Sequence, residues 1–64
     1  MITMSEEKRY KIILQSTSGW NLIEDYATNL PKERCNQLLQ QFIREGNNPN
    51  DLKAVLVNDP RYPN

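Results

Sequence analysis

An α+β fold of chain order β-β-α-β is predicted, with a three-stranded antiparallel sheet in the spatial order 2-1-3 and one helix packed on one face. Three observations lead there. A run of strand length, RYKIILQS, is closed by Ser16-Thr17-Ser18-Gly19; an apolar stripe at helical spacing runs from Cys35 to Ile43; and a second β-branched run, LKAVLVN, follows a turn.

Arg9 to Ser16 forms the first strand because β-branched and aromatic residues fill it and turn residues end it. Trp20 to Leu30 fits two templates. On a helical wheel Leu22, Ile23, Tyr26, Ala27 and Leu30 share one side, which gives β-α-α-β as the alternative order. The short Ser/Gly turn, the strand-favouring Trp, Ile, Tyr and Thr, and the weakness of a two-stranded sheet favour a second strand from Trp20 to about Ala27.

The helix is predicted over Pro31 to Glu45. Cys35, Leu38, Leu39, Phe42 and Ile43 fall at i, i+3, i+4, i+7 and i+8. Pro31 suits a first turn, where its missing N–H has no intrahelical partner, and Gly46 suits the left-handed position just past the end. Asn48-Pro49-Asn50-Asp51 makes a turn into the third strand, Leu52 to Asn58, which Asp59-Pro60 ends. A right-handed crossover through the helix then sets the third strand beside the first and antiparallel to it. Residues 9–59 form the single domain, Met1 to Lys8 a mobile polar arm and residues 60–64 an extended tail.

Composition narrows the function classes. The chain has 64 residues, eight basic and eight acidic side chains, one cysteine and no histidine. A chain this short buries only enough surface to offset its entropy, and a lone Cys35 without histidine supplies neither an intramolecular disulfide nor a zinc site. No metal and no cofactor are expected, and no enzyme, because general acid–base work near neutral pH lacks its usual residue and so small a fold has little room for a pocket. Cys35 opens the apolar stripe and reads as a core thiol, despite Lys32 and Arg34 nearby. The Ser/Gly turn lacks the lysine of a phosphate loop and reads as a hairpin. No run approaches the roughly 18 apolar residues of a membrane span, and Met1 to Lys11 has no apolar signal core. The expectation is a protein of a reducing cytoplasm, not of a membrane.

The sheet itself carries the functional clue. Tyr10, Ile12 and Leu14 alternate with Lys11, Ile13 and Gln15, and Ala54 and Leu56 with Val55 and Val57, so both faces are apolar. One helix covers one face. Each aliphatic side chain left in water forgoes about 1.5–3 kcal/mol, so a second layer is expected, either from another chain or from the arm and tail folding back. The candidate interaction surface is Ile13, Trp20, Ile23, Val55, Val57, Arg61 and Tyr62, the last two as a proline-flanked docking peptide. The partner expected is a second copy or another protein. The alternative function is binding of single-stranded nucleic acid, with Tyr10 and Trp20 as stacking platforms and Arg9 and Lys11 as cations, against which stand Glu6, Glu7, Glu24 and Asp25.

The stretch from Tyr10 to Pro60, carrying KIILQSTSGW, LPKERCNQLLQQFIREG and NPNDLKAVLVNDP, resembles small proteins encoded by marine cyanobacteria and their tailed phages. The shared motifs are structural, and Pro31 stands where a capping threonine is more usual. The resemblance implies no catalytic or ligand residue. It implies a phage-type protein that binds a host protein in the host cytoplasm.

Overall fold

A computed structural model describes residues 8–62. Strand β1 (Tyr10–Ser16) is followed by β2 (Gly19–Leu22), helix α1 (Lys32–Arg44), a single 3-10 turn (Pro49–Asp51) and β3 (Leu52–Leu56). The sheet is antiparallel throughout its pairs, in the order β2-β1-β3, so the predicted α+β architecture and strand order hold. The predicted arm falls outside the described residues apart from Lys8.

The hairpin is as tight as the sequence implies. Ser16 pairs with Gly19 across Thr17 and Ser18, and Gly19 takes a φ of 107°, which suits a residue without Cβ. Helix α1 starts one residue later than predicted, with extended Pro31 as its N-cap and the Cys35 amide bonding back to the Pro31 carbonyl at 2.9 Å. Its end is a Schellman motif: Gly46, at φ 111°, donates to Ile43 O at 3.1 Å, and the next amide, of Asn47, donates to Phe42 O at 3.2 Å. The Asn47 side-chain amide donates to that same carbonyl at 2.9 Å. The 3-10 turn is capped in turn by Asn48, whose Oδ1 accepts from the Asn50 amide at 2.8 Å.

Two predicted elements differ. The second strand stops at Leu22, not Ala27, and residues 23–30 are neither strand nor helix. The physical reason lies in how this segment serves β1. The Ile23 amide donates to Ile12 O at 3.1 Å, the chain then leaves the sheet in a turn closed by Ala27 N–H to Glu24 O, and it returns so that Ala27 O accepts from the Ile12 amide at 3.0 Å. Tyr10 and Leu30 then exchange bonds of 2.7 and 2.9 Å. Ile12 is thus satisfied from two places, with the charged Glu24-Asp25 pair and Tyr26 set out in solvent between them. The second difference is the tail. Residues 60–62 are not extended, because Asp59 gathers them: its Oδ1 accepts from the Arg61 amide at 3.0 Å and its carbonyl from the Tyr62 amide at 3.1 Å. The third strand also ends early, at Leu56, although Val57 still donates to Arg9 O at 3.0 Å.

The core lies between the sheet and α1. Ile12, Ala27, Cys35, Phe42 and Leu52 are buried together, with Tyr10, Leu14, Ile23, Leu30 and the remaining apolar residues of α1 packed around them. Phe42 sits at the centre of the helical stripe. Phe42→Ala should cost about 3–5 kcal/mol, enough to unfold a large fraction of so small a domain, as urea titration followed by Trp20 fluorescence would register.

Candidate interaction surfaces

The second face of the sheet is defined by register. Lys11 lies opposite Val55, Ile13 opposite both Lys53 and Leu22, and Gln15 opposite Trp20, so these side chains share the side away from α1. Here the expected open apolar layer is corrected: Ile13 is fully buried, and Val55 retains 8% exposure. Part of the cover comes from the turned-back tail. The Lys11 ammonium, itself on a residue only 3% exposed, donates to the Tyr62 carbonyl. The Tyr62 ring meets Trp20 edge to face, with centroids 6.1 Å apart and planes at 80°. The Lys53 ammonium lies 4.8 Å from the Trp20 centroid and 5.1 Å from that of Tyr62, and donates to Tyr62 Oη at 2.9 Å.

The other candidates scatter. Ile23 is packed against the helix-side core. Val57 remains 37% exposed, and Arg61 is exposed at the tail turn, its guanidinium 5.7 Å from the Tyr62 ring and 3.3 Å from Asp59 Oδ2. The four residues of the nucleic-acid alternative do not assemble. Tyr10 sits on the helix-side core, whereas Trp20 and Lys11 belong to the opposite face and Lys11 is buried. Tyr26, which the sequence did not single out as a surface residue, is 60% exposed and stacked on Phe42 with centroids 6.2 Å apart; the helical wheel of the alternative order set it on the buried side, and in the strand reading it had no assigned role.

The chemistry of the titrating groups follows from these positions. Burial pushes the Cys35 thiol above its ordinary value, so the thiolate is disfavoured. At Asp59 the side-chain hydrogen bond from Arg61, then that of the Arg61 amide, hold the carboxyl below its ordinary value. Among the described residues no group of three or more Cys, Asp and Glu is placed to hold a metal ion, and no helix is long and apolar enough to cross a membrane.

Two features lie at the β3 side of the sheet. An open groove of about 460 Å³ is lined by Lys8, Arg9, Asn29, Leu56, Val57 and Asn58. Beside it runs the outer edge of β3. Because Val57 bonds to Arg9, the alternation of an antiparallel ladder turns residues 53 and 55 towards β1 and residues 52, 54 and 56 outward. The ends of that edge are closed within the chain, Leu52 N–H on Pro49 O and Leu56 O on Asp59 N–H. Between them the Leu52 carbonyl, both backbone groups of Ala54 and the Leu56 amide meet no partner among the described residues.

Comparison with family models, with curated proteins and with solved structures finds no match.

Removing the tail's ring should uncover the second face. Tyr62→Ala is expected to shift Trp20 emission to longer wavelength and raise its quenching by acrylamide, with a loss of about 1–2 kcal/mol in stability. Arg61→Ala should return the Asp59 carboxyl towards its ordinary pKa in an NMR titration. Since the folded pKa is the lower one, the turn's contribution is complete above the unfolded value and fades as pH falls through the folded one.

Proposed function

We propose that this chain is a small non-enzymatic protein-interaction module that acts by strand addition at the outer edge of β3. The observation that carries the reading is the stretch of backbone between Leu52 and Leu56, closed at both ends and, among the described residues, without partners in the middle. Sheet edges are ordinarily blunted by proline, bulges or charged side chains. This one has the small side chain of Ala54 at its centre, and Lys53 is drawn onto the second face by Trp20 and Tyr62. An incoming strand gains main-chain hydrogen bonds worth about 0.5–1.5 kcal/mol each, and exposed Val57 with the adjoining groove offers side-chain contacts that select among partners. Work in a reducing cytoplasm suits the lone thiol, Cys35.

The cluster of Trp20, Lys53, Arg61 and Tyr62 supports a second reading, binding of single-stranded nucleic acid on the second face. It is the weaker one, since Lys53 is bonded to Tyr62 and Arg61 is paired with Asp59.

Affinity capture with three baits separates the two. Wild type and Tyr62→Ala should retain the same polypeptides, and Ala54→Pro, which removes the central outward amide, should lose them at least tenfold, an effect of about 1.4 kcal/mol. Circular dichroism would establish that the proline variant is folded. Retention unchanged by Ala54→Pro but abolished by Tyr62→Ala would overturn the edge in favour of the face, and salt-sensitive oligonucleotide binding lost on Trp20→Ala would favour the second reading.

A further inference from the structure

We infer that the strand β3 receives is the β3 of a second copy of this chain, running antiparallel about a two-fold axis at Ala54; this rests on the strand-addition reading above. The argument is the symmetry of the open edge. Among the described residues the outward groups without partners are an acceptor at Leu52, a donor and an acceptor at Ala54 and a donor at Leu56. Set two such edges antiparallel with Ala54 opposite Ala54. The Ala54 groups then bond reciprocally, and each Leu56 amide reaches the Leu52 carbonyl of the other copy.

Every outward donor meets an outward acceptor, and none is left over. The two groups that a longer ladder would also have used, Leu52 N–H and Leu56 C=O, are the ones already closed by Pro49 and Asp59. A second copy paired in any other register would leave part of this set unpaired, because its own Leu52 N–H and Leu56 C=O are already closed. Side chains agree with the pairing. Ala54 is exposed although it lies on the helix side, so α1 does not reach over this edge, and a small side chain at the axis lets two backbones approach.

The end charges agree as well. Antiparallel pairing sets the end of β3 that Lys8 adjoins against the end that carries Asp51, so charges of opposite sign lie towards each other at both ends of the contact. The product is one continuous sheet of twice the width, with an isologous interface. A contact confined to a strand edge is small and belongs to the weak, transient class of interfaces.

The test is sedimentation of the untagged chain from about 10 μM to 1 mM, coupled to amide hydrogen exchange over the same range. The expected result is a shift from 7.5 kDa to twice that mass, with exchange at Ala54 and Leu56 slowing at least tenfold as concentration rises. The amides of Lys53 and Val55, bonded to β1, stay slow throughout. Ala54→Pro should remain monomeric across the range. The exchange measurement needs no variant, so it decides the matter even if the proline chain misfolds. A monomer at 1 mM would overturn the second copy as occupant while leaving the edge open to a strand of another protein. A dimer whose Ala54 amide still exchanges fast would place the contact elsewhere and overturn the pairing, again leaving the edge open to a strand of another protein.

Discussion

A single helix cannot cover a sheet that is apolar on both sides, and the tie between Lys11 and Tyr62 is how this chain meets that constraint. Burying an ammonium is costly unless it is hydrogen-bonded, a need that favours keeping the Tyr62 carbonyl within reach of Lys11. That requirement fixes the tail across the second face, brings the Tyr62 ring to Trp20 and draws Lys53 off the edge of β3. The aliphatic stem of Lys11 meanwhile packs beside Ile13 and Val55 as part of the layer it helps to close. One polar contact between residues far apart in sequence therefore organises the side of the sheet that α1 leaves alone.

What the sequence made legible and what it hid divide along the range of the interactions. The helix was readable to within a residue at each end because its stripe, its proline and its Gly46 stop are all local signals. The same is true of β1 and the two-residue hairpin, whereas β3 was placed correctly at its start and overrun by two residues at its end. The segment from Ile23 to Leu30 resisted because its backbone answers to Ile12 twice, once from each side of an excursion, and neither a period of 3.6 nor one of 2 describes that. Ala27 and Leu30, which share one side of the helical wheel, do face the core, and so does Ile23, which was expected on the interaction surface.

The candidate surface fared less well, for a related reason. Counting apolar faces correctly showed that a second layer was needed, and the tail was one of the two sources considered. Which source supplies it depends on contacts more than fifty positions apart, such as the one from Lys11 to Tyr62, and composition carries no trace of them. Ile13 and Val55 were therefore identified as apolar and placed on the right face, yet they are interior. The outward backbone groups of β3 were invisible for another reason: they belong to no particular side chain, and only the strand order and the phase of the ladder reveal them.

The interrupted partner of β1 on the opposite side has a bearing on size. There β2 is four residues long and the chain swings out at Glu24 immediately after it, so that flank of the sheet offers no straight template for a further strand. A sheet that can accept neighbours on one flank only cannot propagate. A second copy added at β3 would end in the same interrupted flank, so the irregular segment from Ile23 to Leu30 would limit such a sheet to two copies.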